Sequence, residues 1–89
     1  MARFEAAAIE TVEYGTAGGT VDGLFALGLM HSAGRDVAPD LVAAHKWFNL
    51  AALRGNSEAK RYRMEIALEM SKAEIAEAQR QARQWLSCH

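Results

Sequence analysis

The sequence predicts an all-α chain of about five short helices, stacked as antiparallel hairpins. Three observations carry this. Apolar residues recur at three- and four-residue spacing, and no stretch alternates as a strand would. Glycines and capping residues punctuate that pattern. The connectors are only a few residues long, which sets neighbouring helices side by side.

The first segment covers residues 3–14. Phe4, Ala8 and Val12 fall on one face, and Gly15 suits a left-handed stop. "GTAGG" is then a flexible connector. No strand precedes it and its spacing is not G-x-G-x-x-G, so it does not read as a nucleotide-binding turn.

The second segment starts at Asp22 as N-cap and ends before Gly34. Leu24, Leu27, Gly28 and His31 share one face. A glycine inside a helix costs up to about 1 kcal/mol against alanine. Gly28 is therefore expected where a neighbouring helix crosses closely.

The third segment begins at Pro39, whose missing N–H suits a first helical position. Asp40 places negative charge in the first turn, near the positive end of the helix dipole. Leu41, Ala44, Phe48, Ala51 and Ala52 form its stripe, with Trp47 beside it and Gly55 as the stop.

The fourth segment starts at Asn56 or Ser57, and Ala59, Tyr62, Ile66 and Met70 are its apolar row. The fifth opens on a capping box, Ser71-x-x-Glu74, with Met70 and Ile75 placed as a hydrophobic staple. Ile75, Ala78, Ala82 and Leu86 continue its face, flanked by Trp85.

At 89 residues the chain is read as one domain, 1–89. Its 10 Lys plus Arg against 11 Asp plus Glu leave a net charge of −1, which gives no electrostatic case for nucleic acid. One cysteine, Cys88, cannot form an internal disulfide. Acidic residues interrupt the N-terminal stretch, and no apolar run approaches the ~20 residues of a membrane span. A cytoplasmic protein is expected.

"GTVDGLFALG" at 19–28 and "GNSEAKRYRM" at 55–64 share a pattern. Gly19 with Gly55, and Gly23 with Ala59, are offset by 36 residues, in the range of helix-turn-helix solenoid repeats. Residues 23–59 carry more. Gly23, Leu27-Gly28, His31, Gly34, Val37, Asp40, Ala44, Trp47-Phe48, Ala51-Ala52, Gly55 and Ala59 stand in register. In these positions the stretch resembles one unit of the Sel-one-like repeat family, a relative of the tetratricopeptide repeats. His31 stands where that family usually has tyrosine, and Asp36 where glycine is usual. The resemblance implies one repeat at 23–59, with capping helices at 3–14 and 57–86. It also implies a protein-interaction module, with a bacterial role in signalling or in envelope and exopolysaccharide regulation.

A single repeat leaves both faces of its hairpin uncovered, and fewer than about three repeats seldom suffice. A homodimer is expected, through Phe25, Leu29 and Leu50. Met30, Met64 and Met70 are expected to fill gaps in the core.

The stretch "MHSAGRDVAPD" at 30–40 holds His31, Ser32, Asp36 and Asp40, the residue types of a catalytic triad. No G-x-S-x-G elbow exposes the serine, and His31 sits on the apolar row. A buried, hydrogen-bonded histidine is the expected reading, and the stretch is read as a hinge between helices. Metal binding has His31, His45, Cys88 and His89 as candidates, without a C-x-x-C or H-x-x-x-H pair. No catalytic residue, metal or cofactor is predicted. Some relatives of the repeat family have been described as β-lactamase-like, but S-x-x-K, S-D-N and K-T-G are absent here. A purely structural, self-associating protein is the remaining alternative.

The resemblance places partner binding on the first helix of each pair. That assigns Phe25, Ala26, Leu29 and Ser32 of the second segment, with Lys60, Arg61 and Arg63 of the fourth. The basic residues would suit an acidic segment of an unidentified protein or peptide partner.

Overall fold

The computed structural model describes residues 20–34 and 38–88. These form four helices and no strand: α1 (Val21–Ala33), α2 (Leu41–Leu53), α3 (Ser57–Ala67) and α4 (Lys72–Cys88). The helix expected at 3–14 lies outside the described residues.

Local chemistry sets each boundary. Thr20, not Asp22, caps α1, its Oγ1 accepting from the Gly23 N–H at 3.2 Å. Asp22 falls in the first turn instead, where its charge meets the helix dipole. Gly34 ends α1 at φ 71° and its N–H donates to the Met30 carbonyl.

Asp40 is the N-cap of α2 rather than a first-turn residue. Its carboxylate accepts from the Ala43 N–H at 3.0 Å, so the helix starts at Leu41 and Pro39 precedes the cap. The expectation that Pro39 is the first helical residue is corrected accordingly: the aspartate's side-chain bond fixes the boundary. The Asp40 N–H also donates to the His31 carbonyl at 3.0 Å, tying the α1–α2 connection together.

Asn56 caps α3 through the Ala59 N–H at 2.9 Å. The capping box forms as read from the sequence. Ser71 Oγ accepts from the Glu74 N–H at 3.1 Å, and Glu74 Oε1 accepts from the Ser71 N–H at 2.8 Å.

Antiparallel order follows from paired contacts. His31 meets Asp40, and one turn further back Gly28 meets Phe48, so α1 and α2 run oppositely. The short connection from Leu53 to Ser57 and the Asn49–Arg63 bond set α3 antiparallel to α2. Hairpin packing does not continue to the last pair. The extensive helix contacts are α1 with α2, α2 with α3, and α2 with α4, so α4 lies on α2 rather than on its neighbour. The reason is composition. Helix α2 buries Ala44, His45, Phe48, Leu50 and Ala51 and half-buries Trp47 and Ala52, so it is apolar nearly all round. Helix α3 fully buries only Ala59.

Phe48, Leu24 and Leu50 are the largest fully buried side chains. Around them Ala44, Ala51, Ala59, Ala78 and Ala82 are at most 1% exposed, which lets helices approach closely. Phe25, Phe48 and Tyr62 join α1, α2 and α3, with ring centroids 5.5–5.8 Å apart. Trp47 reaches the other way and meets Trp85 of α4 edge-on at 6.1 Å.

Three expectations are corrected by burial. Leu50 is 1% exposed and belongs to the core, so it offers nothing to a second chain. Met64 is 59% exposed, not a core filler, because Ala59, Tyr62 and Ile66 take the inner side of α3. Leu86 is 43% exposed, because Ala78 and Ala82 make the closest approach to the core from α4. None of the described helices is long and apolar enough to cross a membrane.

Candidate functional site

Helix α1 carries Ala26, Leu29, Met30 and Ala33 at three- and four-residue spacing, on a side that α2 leaves open. Tyr62 of α3 rises beside them. Together with Ser32 they enclose a groove of about 440 Å³. Of the residues assigned from sequence, Ala26, Leu29 and Ser32 come together here. The lining offers only two side-chain polar groups, the hydroxyls of Ser32 and Tyr62, and Ser32 Oγ already donates to the Leu29 carbonyl at 3.2 Å. Such a surface takes apolar side chains and has little with which to direct chemistry.

Phe25 is placed differently. Its ring packs against Phe48 and Tyr62, at 5.8 and 5.6 Å, and so supports the groove from beneath. Met30, Ala33 and Tyr62 were not assigned to the site from sequence. The signal for Met30 and Ala33 was available: they continue the Ala26 row one and two turns on. Tyr62 was read as a core residue, and it serves both purposes because its ring is large enough to span core and groove.

The three basic residues diverge. Lys60 is exposed on the outer side of α3. Arg61 sits between Glu58 and Glu65, at 3.8 and 3.3 Å, with its guanidinium 5.0 Å from the Tyr62 ring. It is tied to its own helix and lies with Lys60 and Met64 on the outer face of α3, so it does not line the groove. Arg63 turns to α2 and donates to Asn49 Oδ1. Residue spacing explains the split, since Arg61 and Arg63 are separated by about 200° around a helix.

His45, named from the sequence only as a metal-ligand candidate, is a buried polar residue. It is 4% exposed in α2, and its Nδ1 is buried without a hydrogen-bond partner among the described residues. Burial pushes its pKa below the usual imidazole value, and the positive charge of Arg63 adds to that. The hydrogen bond expected of His31 is not found at Nδ1, which is buried with no partner among the described residues. Ser32 bonds within its own helix and Asp40 caps α2, so neither is oriented by His31. Asp36 lies outside the described residues. Among the described residues no group of three or more His, Cys, Asp or Glu could hold a metal ion. Cys88 is exposed, and His89 lies outside the described residues.

A second depression, about 330 Å³, lies between α2 and α4 and is lined by Lys46, Arg80, Gln81, Gln84, Trp85 and Cys88. Arg80 is bound there to Glu77, and the hydrogen bonds from Arg80 and Gln81 hold the Glu77 carboxyl pKa down at about 2. Lys46 Nζ lies 4.2 Å from the centroid of the neighbouring Trp47 ring, and partial burial lowers its pKa. This surface is more polar than the α1–α3 groove and its charged groups have local partners.

No family model matches the chain, and no curated protein or solved structure matches it significantly.

Proposed function

We propose that this chain is a non-catalytic protein-interaction module that seats an apolar segment of a partner protein in the groove between α1 and α3. The observation that carries the reading is the groove itself: about 440 Å³, lined by Ala26, Leu29, Met30, Ser32, Ala33 and Tyr62. It is an apolar concavity on a helical scaffold, the kind of surface that helical-repeat proteins use to hold peptides. Resemblance of residues 23–59 to a Sel-one-like repeat supports the same reading. It would set the module in bacterial cytoplasmic signalling or in envelope and exopolysaccharide regulation.

The test is comparative capture from native lysate with the tagged chain and with an Ala26→Glu/Ala33→Glu variant of equal helicity. The reading expects proteins retained by the first and lost by the second. Identical sets from both would remove the groove as a binding surface.

A further inference from the structure

We propose that the outer face of α3 is a contact surface for a second copy of this chain, joined antiparallel about a twofold axis. This contact does not depend on what fills the α1–α3 groove, because the two surfaces lie on opposite sides of α3. Tyr62 faces the groove, and Met64, two residues on, is turned by about 200°.

Ala59, Tyr62 and Ile66 pack inward, which leaves Met64 and Leu68 pointing away from the other described helices. They are 59% and 88% exposed. Leu68 continues the helical backbone at φ −64° and ψ −22°, so it extends the same face by one step. With Ser57, Lys60, Arg61 and Glu65 they line a hollow of about 410 Å³ along the helix. Two large apolar side chains this exposed on one helix face mark an interaction surface.

The charges favour a second copy over a partner of one sign. Arg61 and Glu65 lie one turn apart on the same flank and are paired at 3.3 Å. In an antiparallel twofold pairing each flank meets the same flank of the partner with its order reversed. Arg61 of one copy then faces Glu65 of the other, and Glu65 faces Arg61. Both side chains are 57% exposed, so the internal pair is weak and can be exchanged at little cost. A parallel twofold pairing would instead set the Arg61 flank against the Lys60 flank of the other copy, opposing like charges. An acidic partner would meet Glu58 and Glu65, and a basic one would meet Lys60 and Arg61.

One helix face is smaller than the ~800 Å² per partner of a standard interface, so the association is expected to be weak and concentration-dependent. It also moves the expected dimer contact from Phe25 and Leu50, which pack internally, to residues that face outward.

Sedimentation velocity of the full chain from low to high micromolar concentration tests this. The mass should rise from one chain of 9.7 kDa towards two. Met64→Glu/Leu68→Glu should remain a single chain with unchanged helicity. Arg61→Glu and Glu65→Arg should each weaken self-association by about tenfold or more, and an equimolar mixture of the two should regain the dimeric mass. A wild-type mass of one chain throughout would overturn the proposal. So would a dimer that survives Met64→Glu/Leu68→Glu, or a mixture of the charge variants that stays monomeric.

Discussion

Gly28 of α1 carries the ring of Phe48 directly against its backbone: a Cβ placed there would lie 2.5 Å from two of the ring's carbons. Phe48 is fully buried and stacks on Tyr62, with Phe25 beside it, so the ring has no open side to move into. Alanine is the better helix former by about 1 kcal/mol, but overpacking a core costs about 1–3 kcal/mol. Gly28→Ala should therefore lower the urea midpoint. Adding Phe48→Leu to Gly28→Ala should cost less than Phe48→Leu costs alone. A more stable Gly28→Ala chain would show that the ring yields.

Gly34 combines two demands. Its φ is 71°, and a Cβ would come within 2.7 Å of Pro39 Cγ. A non-glycine residue in the left-handed region costs about 1–2 kcal/mol. Gly34→Ala should be destabilising by at least that amount in a chemical denaturation curve. Gly34→Ala combined with Pro39→Ala should recover only the steric part.

The Ser71–Glu74 box holds the start of α4, and α4 supplies Ala78 and Ala82 to the core. Ser71→Ala should cost about 0.5–2 kcal/mol, read as a lower thermal midpoint. Ser71→Asp, which keeps a capping acceptor, should cost less. Equal losses for both would mean that the cap bond contributes nothing.

His45 gives stability a pH dependence. Its pKa is lowered in the folded state by burial and by Arg63, so the unfolded chain takes up the proton first. Stability is then fully present above the unfolded value of about 6.5 and falls as the pH drops through it. Denaturation midpoints should decline between about pH 7 and pH 5.5, before the carboxylates titrate. His45→Gln should flatten that decline, whatever it does to the midpoint at neutral pH. An unchanged slope would place the proton uptake elsewhere.

The helices were readable because their signals are local. Gly34, Gly55 and the Ser71 box act within a few residues, and all three stop or start helices where the sequence places them. The crossing at Gly28 was readable for a different reason: a helix tolerates an interior glycine chiefly where another side chain needs the space. The first cap was misplaced: Asp22 has a capping side chain, but Thr20, two residues earlier, makes the bond to Gly23. Pairing of α4 with α2 was not readable, since it depends on how apolar α2 is on every side rather than on any loop. At the site, the spacing of Ala26, Leu29 and Ser32 was enough to group them. Lys60, Arg61 and Arg63 are close in sequence but not in direction, because each residue turns the helix by about 100°. The burial of His45 was not readable, because it comes from the helices that pack around α2.

A photo-crosslinking side chain tests most directly whether the α1–α3 groove holds a partner. Placed at Leu29 on the groove, and separately at Ala76 on the exposed side of α4, it should form adducts in the native cell from the first position and none from the second. No adduct at Leu29, or the same adducts from both positions, would contradict a partner-holding groove.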